Sequence, residues 1–138
     1  LLDRSVQFVR QRQARAGRHD YLADIERQPA AWQGTQRGLR ALRDTCREAK
    51  AQLLVAVFPM FSQLEPELYP CRPLHELVLS FCQAEGIAAI DLLPDFLGKR
   101  DSDYWVHQAD QHPNHEAMRI FAERIHGELR QRGWLGGG

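Results

Sequence analysis

Three observations predict an α/β domain built on a parallel sheet. Residues 53–58 (Leu-Leu-Val-Ala-Val-Phe) and 87–92 (Ile-Ala-Ala-Ile-Asp-Leu) are short, continuous apolar runs, the pattern of strands covered on both faces. Segments with apolar residues at helical spacing stand before, between and after them. The resulting order of helix, strand, helix, strand, long loop, helix is the one that builds parallel sheets. Two strands do not make a stable doubly wound sheet by themselves. Further strands are therefore expected, either from chain preceding Leu1 or from a partner.

Taken in order, residues 1–16 set Leu2, Val6 and Val9 at helical spacing among arginines, a surface helix with one apolar side. Gly17-Arg18-His19-Asp20 interrupts it. Residues 21–32 read as a short helix and a loop around Pro29, anchored by Tyr21, Leu22, Ile25 and Trp32. Gly34-Thr35 opens the next helix with Thr35 as N-cap, and Leu39, Leu42, Cys46 and Ala49 form its buried stripe.

The first strand ends at Pro59, and residues 59–73 make a loop holding Pro59, Pro66, Pro70 and Pro73. Leu74, Leu77, Val78, Phe81 and Cys82 define an amphipathic helix closed by Gly86 as its C′ residue. After the second strand a loop of roughly twenty residues runs to His112. Loops that long inside a compact domain are functional or disordered, and Tyr104 and Trp105 favour an ordered one. The last helix begins near Asn114, with Ala117, Phe121, Ile125 and Leu129 inward and Arg119, Glu123, Arg130 and Arg132 outward. Gly133 ends it, and residues 136–138 are a glycine tail.

The 138 residues amount to one domain or part of one. The opening residue is Leu1 rather than Met, inside a helical pattern, so the N-terminus is expected to be a cut edge. Composition is that of a globular protein. The net charge of zero hides an asymmetry: the first fifty residues carry eleven Lys/Arg against six Asp/Glu, the remainder seven against twelve. Most of those arginines are spaced as outer helix faces, which favours a solvated surface over a nucleic-acid or anionic-lipid contact. Cys46, Cys71 and Cys82 lack CxxC spacing, which argues against a disulfide framework and against zinc. No apolar run is long enough to span a membrane.

The stretch with chemical content is residues 104–115, Tyr-Trp-Val-His-Gln-Ala-Asp-Gln-His-Pro-Asn-His. Asp110 stands two residues before His112, and Pro113-Asn114 lead into the final helix. A carboxylate that accepts from one imidazole nitrogen fixes the tautomer and leaves the other nitrogen to take a proton. Ligands of open α/β sheets gather beyond the carboxyl ends of the strands. The loops 59–73 and 93–112 both leave from that edge.

Strand 53–59, helix 74–86, strand 87–92 and then Asp110-Gln111-His112-Pro113-Asn114 opening a terminal helix resemble the C-terminal half of an SGNH/GDSL hydrolase. The resemblance covers roughly residues 35–132. It implies a flavodoxin-like three-layer α/β/α fold, of which residues 1–135 would be the C-terminal part, with the N-terminal blocks missing. It further implies a Ser-His-Asp esterase acting on a small-molecule ester without a cofactor, with His112 as base and Asp110 orienting it. Two departures stand out. The family's commoner spacing puts the acid three residues before the histidine, where this chain has Ala109, and neither the Gly-Asp-Ser nucleophile motif nor the Gly and Asn of the oxyanion hole is present. Ser5, Ser62, Ser80 and Ser102 read as ordinary polar residues; Phe61-Ser62-Gln63 lacks the glycines of a nucleophile elbow. The chain is expected to be inactive alone, its serine lying upstream.

Two other readings remain open. His107, Asp110, His112 and His115 are residue types that suit zinc, iron or manganese, although their spacing matches no established ligand motif. A non-catalytic module whose basic N-terminal arm docks on nucleic acid or protein would bind with steep salt dependence.

Overall fold

The computed structural model describes residues 21–135. The helix expected over residues 1–16, the break at 17–20 and the glycine tail lie outside the described residues. Helix α1 spans Tyr21–Arg27 and α2 Pro29–Glu48. Strand β1 is Leu54–Val57, helix α3 Arg72–Ala84 and strand β2 Ala88–Asp91. Two short 3₁₀ turns, Leu93–Asp95 and Asp101–Tyr104, lead to strands β3 (Trp105–His107) and β4 (Asp110–Pro113). Helix α4, His115–Gln131, follows. The architecture is mixed α/β, with a parallel β1–β2 pair and a separate antiparallel β3–β4 pair.

Strands β1 and β2 pair in register from Leu54 opposite Ala88 to Val57 opposite Asp91. Side chains alternate along a strand, and the two apolar clusters divide accordingly. Leu54, Ala56 and Ile90 join Phe61, Phe96, Ala117 and Phe121 in the larger cluster, to which α4 contributes. Val55 and Ala89 join Trp32, Leu39, Val78, Phe81 and Cys82 in the other, to which α2 and α3 contribute. All four residues of β1 are only half-buried, as befits a strand with one bonded neighbour.

Helix α2 corrects two expectations. It starts at Pro29, not at Gly34-Thr35, because proline at the first position supplies a preset φ and lacks only an N–H that would have no helical partner. Thr35 lies inside the helix, where its hydroxyl donates back to the Ala31 carbonyl at 3.3 Å. The expected buried stripe is also shallower than the pattern implied. No residue of α2 is buried, Leu42 is 48% exposed, and Leu39 alone of the four packs into a cluster.

Among the described residues, the three long helices end alike. After α3, Gly86 takes a left-handed φ of 63°, its N–H donates to Gln83 and that of Ile87 to Cys82, as in a Schellman cap. Gly133 does the same after α4. After α2 the same two bonds form, from Lys50 to Arg47 and from Ala51 to Cys46, but the left-handed residue is Lys50, at φ 54°.

The twenty residues after β2 are not one irregular loop. Phe96 is fully buried and meets Phe61, Tyr104 and Phe121 at ring-centroid separations of 5.0, 5.0 and 5.2 Å. The Gly98 N–H donates to the Leu64 carbonyl at 2.8 Å and the Trp105 indole N–H to the Phe61 carbonyl at 2.7 Å. These contacts clip the segment to the 59–73 loop. Its last part folds as a β3–β4 hairpin around the two-residue turn Gln108-Ala109, with His107 opposite Asp110 and an irregularity between Trp105 and His107. No helix among the described residues is long and apolar enough to cross a membrane.

Candidate functional site

Asp110 and His112 sit on strand β4 rather than in a loop at the mouth of the last helix. What joins that strand to α4 is Asn114. Its side-chain oxygen caps the helix by accepting from the Glu116 and Ala117 N–H groups at 3.0 and 3.1 Å. Its amide nitrogen donates to the Asp103 and Trp105 carbonyls at 2.9 and 3.2 Å. Its own backbone N–H donates to the Tyr104 carbonyl at 2.8 Å. One side chain thus ties the helix start, the preceding 3₁₀ turn and β3 together, two residues after His112.

The expected pair is formed. His112 Nδ1 lies 2.5 Å from Asp110 Oδ1, and the His112 backbone N–H donates to the same oxygen at 3.0 Å. The backbone N–H and then the imidazole hold the Asp110 carboxyl below the usual carboxylate range. A carboxylate only accepts, so the imidazole carries its proton on Nδ1. Nε2 is left without a hydrogen bond among the described residues. The pair is open to solvent, with side-chain exposures of 86% for His112 and 48% for Asp110.

Beside the pair runs a shallow cleft of about 460 Å³, with Asp110, Gln111, His112 and Pro113 on one wall and Pro59, Met60 and Phe61 on the other. Pro59 follows β1 by two residues, so the cleft lies beyond the carboxyl end of the parallel pair, where open α/β sheets take their ligands. Ser62 is half-buried, donates its backbone N–H to the Met60 carbonyl at 2.9 Å and is not part of either wall.

Among the described residues no three His, Cys, Asp or Glu side chains converge as a metal would need. His107, Asp110, His112 and His115 therefore do not form a ligand set: His107 ends β3, Asp110 and His112 lie on β4, and His115 opens α4. His107 instead accepts from the Ala109 N–H through Nδ1 at 3.2 Å. Five of the eleven Lys/Arg among the first fifty residues lie outside the described residues. Within them, Arg40 and Arg43 both grip Glu85, at 2.7 and 2.6 Å, fastening α2 to the end of α3. All three cysteines are free thiols, and burial pushes those of Cys71 and Cys82 up.

A second histidine–carboxylate pair, the buried His75 with the half-buried Asp91, lies at the same end of the sheet and was not legible in the sequence. Its one legible signal was Asp91, a lone charge at the end of an otherwise apolar strand. No protein-family model, curated protein or solved structure matches the chain.

Proposed function

We propose that the chain is the C-terminal part of an SGNH-type serine hydrolase of flavodoxin-like three-layer fold acting on carboxylic esters, with His112 as general base and Asp110 as the group that orients it. The observation that carries this reading is the His112–Asp110 bond at 2.5 Å, with Nε2 left for a proton beside a cleft beyond the carboxyl end of a parallel strand pair. The nucleophile is a serine on a preceding block of the same polypeptide, whose strands would pair with the half-buried β1–β2 sheet. Its hydroxyl oxygen attacks the ester carbonyl carbon while its proton passes to His112 Nε2. Collapse of the tetrahedral adduct breaks the bond to the alcohol oxygen, which leaves with that proton; Asp110 steadies the imidazolium in between. The oxyanion donors also come from the preceding block, each a contribution of about 3–4 kcal/mol to such chemistry.

The exposure of His112 accords with a pair that another segment covers. The coding frame upstream of Leu1 is therefore expected to encode Gly-Asp-Ser after an apolar strand, and the protein expressed from it to react with a fluorophosphonate on that serine. His112→Ala in that protein is expected to abolish ester turnover with little change in stability. Retained turnover would remove His112 from the mechanism. Labelling of Ser62 in the present chain would place the nucleophile here and overturn the two-block reading.

A further inference from the structure

The carboxyl edge of the sheet contains a chain of hydrogen bonds that the proposed chemistry does not use. His75, on α3, is 4% exposed and Tyr69 2% exposed, so neither is open to a ligand. His75 Nδ1 lies 2.7 Å from Asp91 Oδ1, and His75 Nε2 lies 3.2 Å from the Tyr69 hydroxyl. That hydroxyl accepts the Met60 N–H at 2.9 Å, and Asp91 Oδ1 also accepts the Leu93 N–H at 3.0 Å.

In the neutral imidazole, counting donors places every proton. The Asp91 carboxylate only accepts, so the imidazole proton is on Nδ1. Nε2 is then an acceptor, and the single hydroxyl hydrogen of Tyr69 points at it. The hydroxyl oxygen remains free to accept from Met60. The bonds run one way, from the backbone of the 59–73 loop through Tyr69 and His75 to the end of β2. Aligned bonds in a buried setting reinforce one another.

Met60 is the middle residue of the cleft wall that faces His112. Met60 itself is 38% exposed. The next residue, Phe61, accepts the Trp105 indole N–H at 2.7 Å, and Trp105 pairs with Pro113, the neighbour of His112 on β4. Both walls of the cleft are thus referred to one buried relay.

We infer that Tyr69, His75 and Asp91 are positioning residues for the cleft: through the Met60 N–H they set the Pro59–Phe61 wall and, by way of Trp105, the hairpin that carries His112. The hydrolase reading is needed only to say what the cleft is for; the coupling is measurable without it.

The test is nuclear magnetic resonance on the full 138-residue chain. In the unmodified protein the His75 imidazole is expected with Nδ1 protonated and Nε2 bare, and the Met60 amide protected from exchange although it lies in a loop. The opposite tautomer, or an unprotected Met60 amide, overturns the relay. In Tyr69→Phe the Met60 amide is expected to exchange about five- to tenfold faster, the loss of one hydrogen bond. The Trp105 indole and His112 ring signals move with it, while the Ile90 amide changes less. Uniform acceleration of all amides with an unmoved His112 ring would reduce the relay to general stability and overturn the positioning role. If that variant does not fold, the two measurements on the unmodified chain decide. No readout depends on turnover, so failure of the relay and failure of the hydrolase reading are separately visible.

Discussion

Replacing Asn114 by Ala removes four hydrogen bonds with distinct roles. The two accepted from Glu116 and Ala117 are the helix cap, and losing a cap costs about 0.5–2 kcal/mol. The two donated to the Asp103 and Trp105 carbonyls hold the turn and β3 against α4. One bond is exposed and the other half-buried, which places each near the lower end of the usual net contribution, about 0.5 kcal/mol. The sum is about 1.5–3 kcal/mol. For a chain of 138 residues that is a fall in Tm of about 5–10 °C. Asn114→Asp separates the two roles, because it keeps the capping oxygens and places a negative charge at a helix N-terminus, yet loses both donated bonds. It is expected to cost about 1 kcal/mol. Urea unfolding followed by far-ultraviolet circular dichroism reads both variants. An Ala variant within 0.5 kcal/mol of the parent, the top of the usual surface-substitution range, would show that Asn114 does not join helix and hairpin. An Asp variant as damaged as the Ala variant would show that the cap contributes nothing.

Two further outcomes follow from the backbone and from titration. Lys50 holds a left-handed φ at the C′ position of α2, where a side chain costs about 1–2 kcal/mol. Lys50→Gly relieves that and gives back part of it as unfolded-chain entropy, so it should stabilise by about 0.5–1 kcal/mol in the same urea assay; a destabilised variant would contradict the cap geometry. Burial alone would raise the Asp91 carboxyl, but bonds from His75 and from the Leu93 N–H outweigh it and hold the group below its ordinary 3.8. Because the folded value is the depressed one, the stabilisation is complete above the unfolded value and disappears as pH falls through the folded one. Urea midpoints measured downward from pH 5 should therefore decline less steeply in Asp91→Asn than in the parent; identical slopes would remove Asp91 from acid unfolding.

The legible parts of the fold were those set by local pattern. The apolar runs at 53–58 and 87–92 became β1 and β2 with ends shifted by one residue, since unbroken apolarity bounded by turn residues has few other outcomes in a chain this short. Gly86 and Gly133 end their helices where their positive φ allows it. The hairpin of β3 and β4 was not legible, because Gln108-Ala109 lacks the Asn-Gly or Asp-Gly signature that announces a two-residue turn. Nor was the burial of α2, because periodicity reports which side of a helix is apolar and not how much of that side a neighbour covers.

The candidate site divides in the same way. Asp110 and His112 are close in sequence, and on β4 the His112 N–H reaches back to the carboxylate, so their pairing was within reach of a local argument. His75 and Asp91 are sixteen residues apart on different elements, and Tyr69 reaches them from a loop. What brings them together is the parallel register of β1 and β2 with α3 packed against it, a set of long-range contacts no local spacing encodes. Residue types and their periods determined that this chain makes strands, helices and one histidine–carboxylate pair. Only the packing of those elements decided that a second pair would form at the same end of the sheet with its histidine buried, because burial and hydrogen-bond partners depend on what lies across the fold rather than along it.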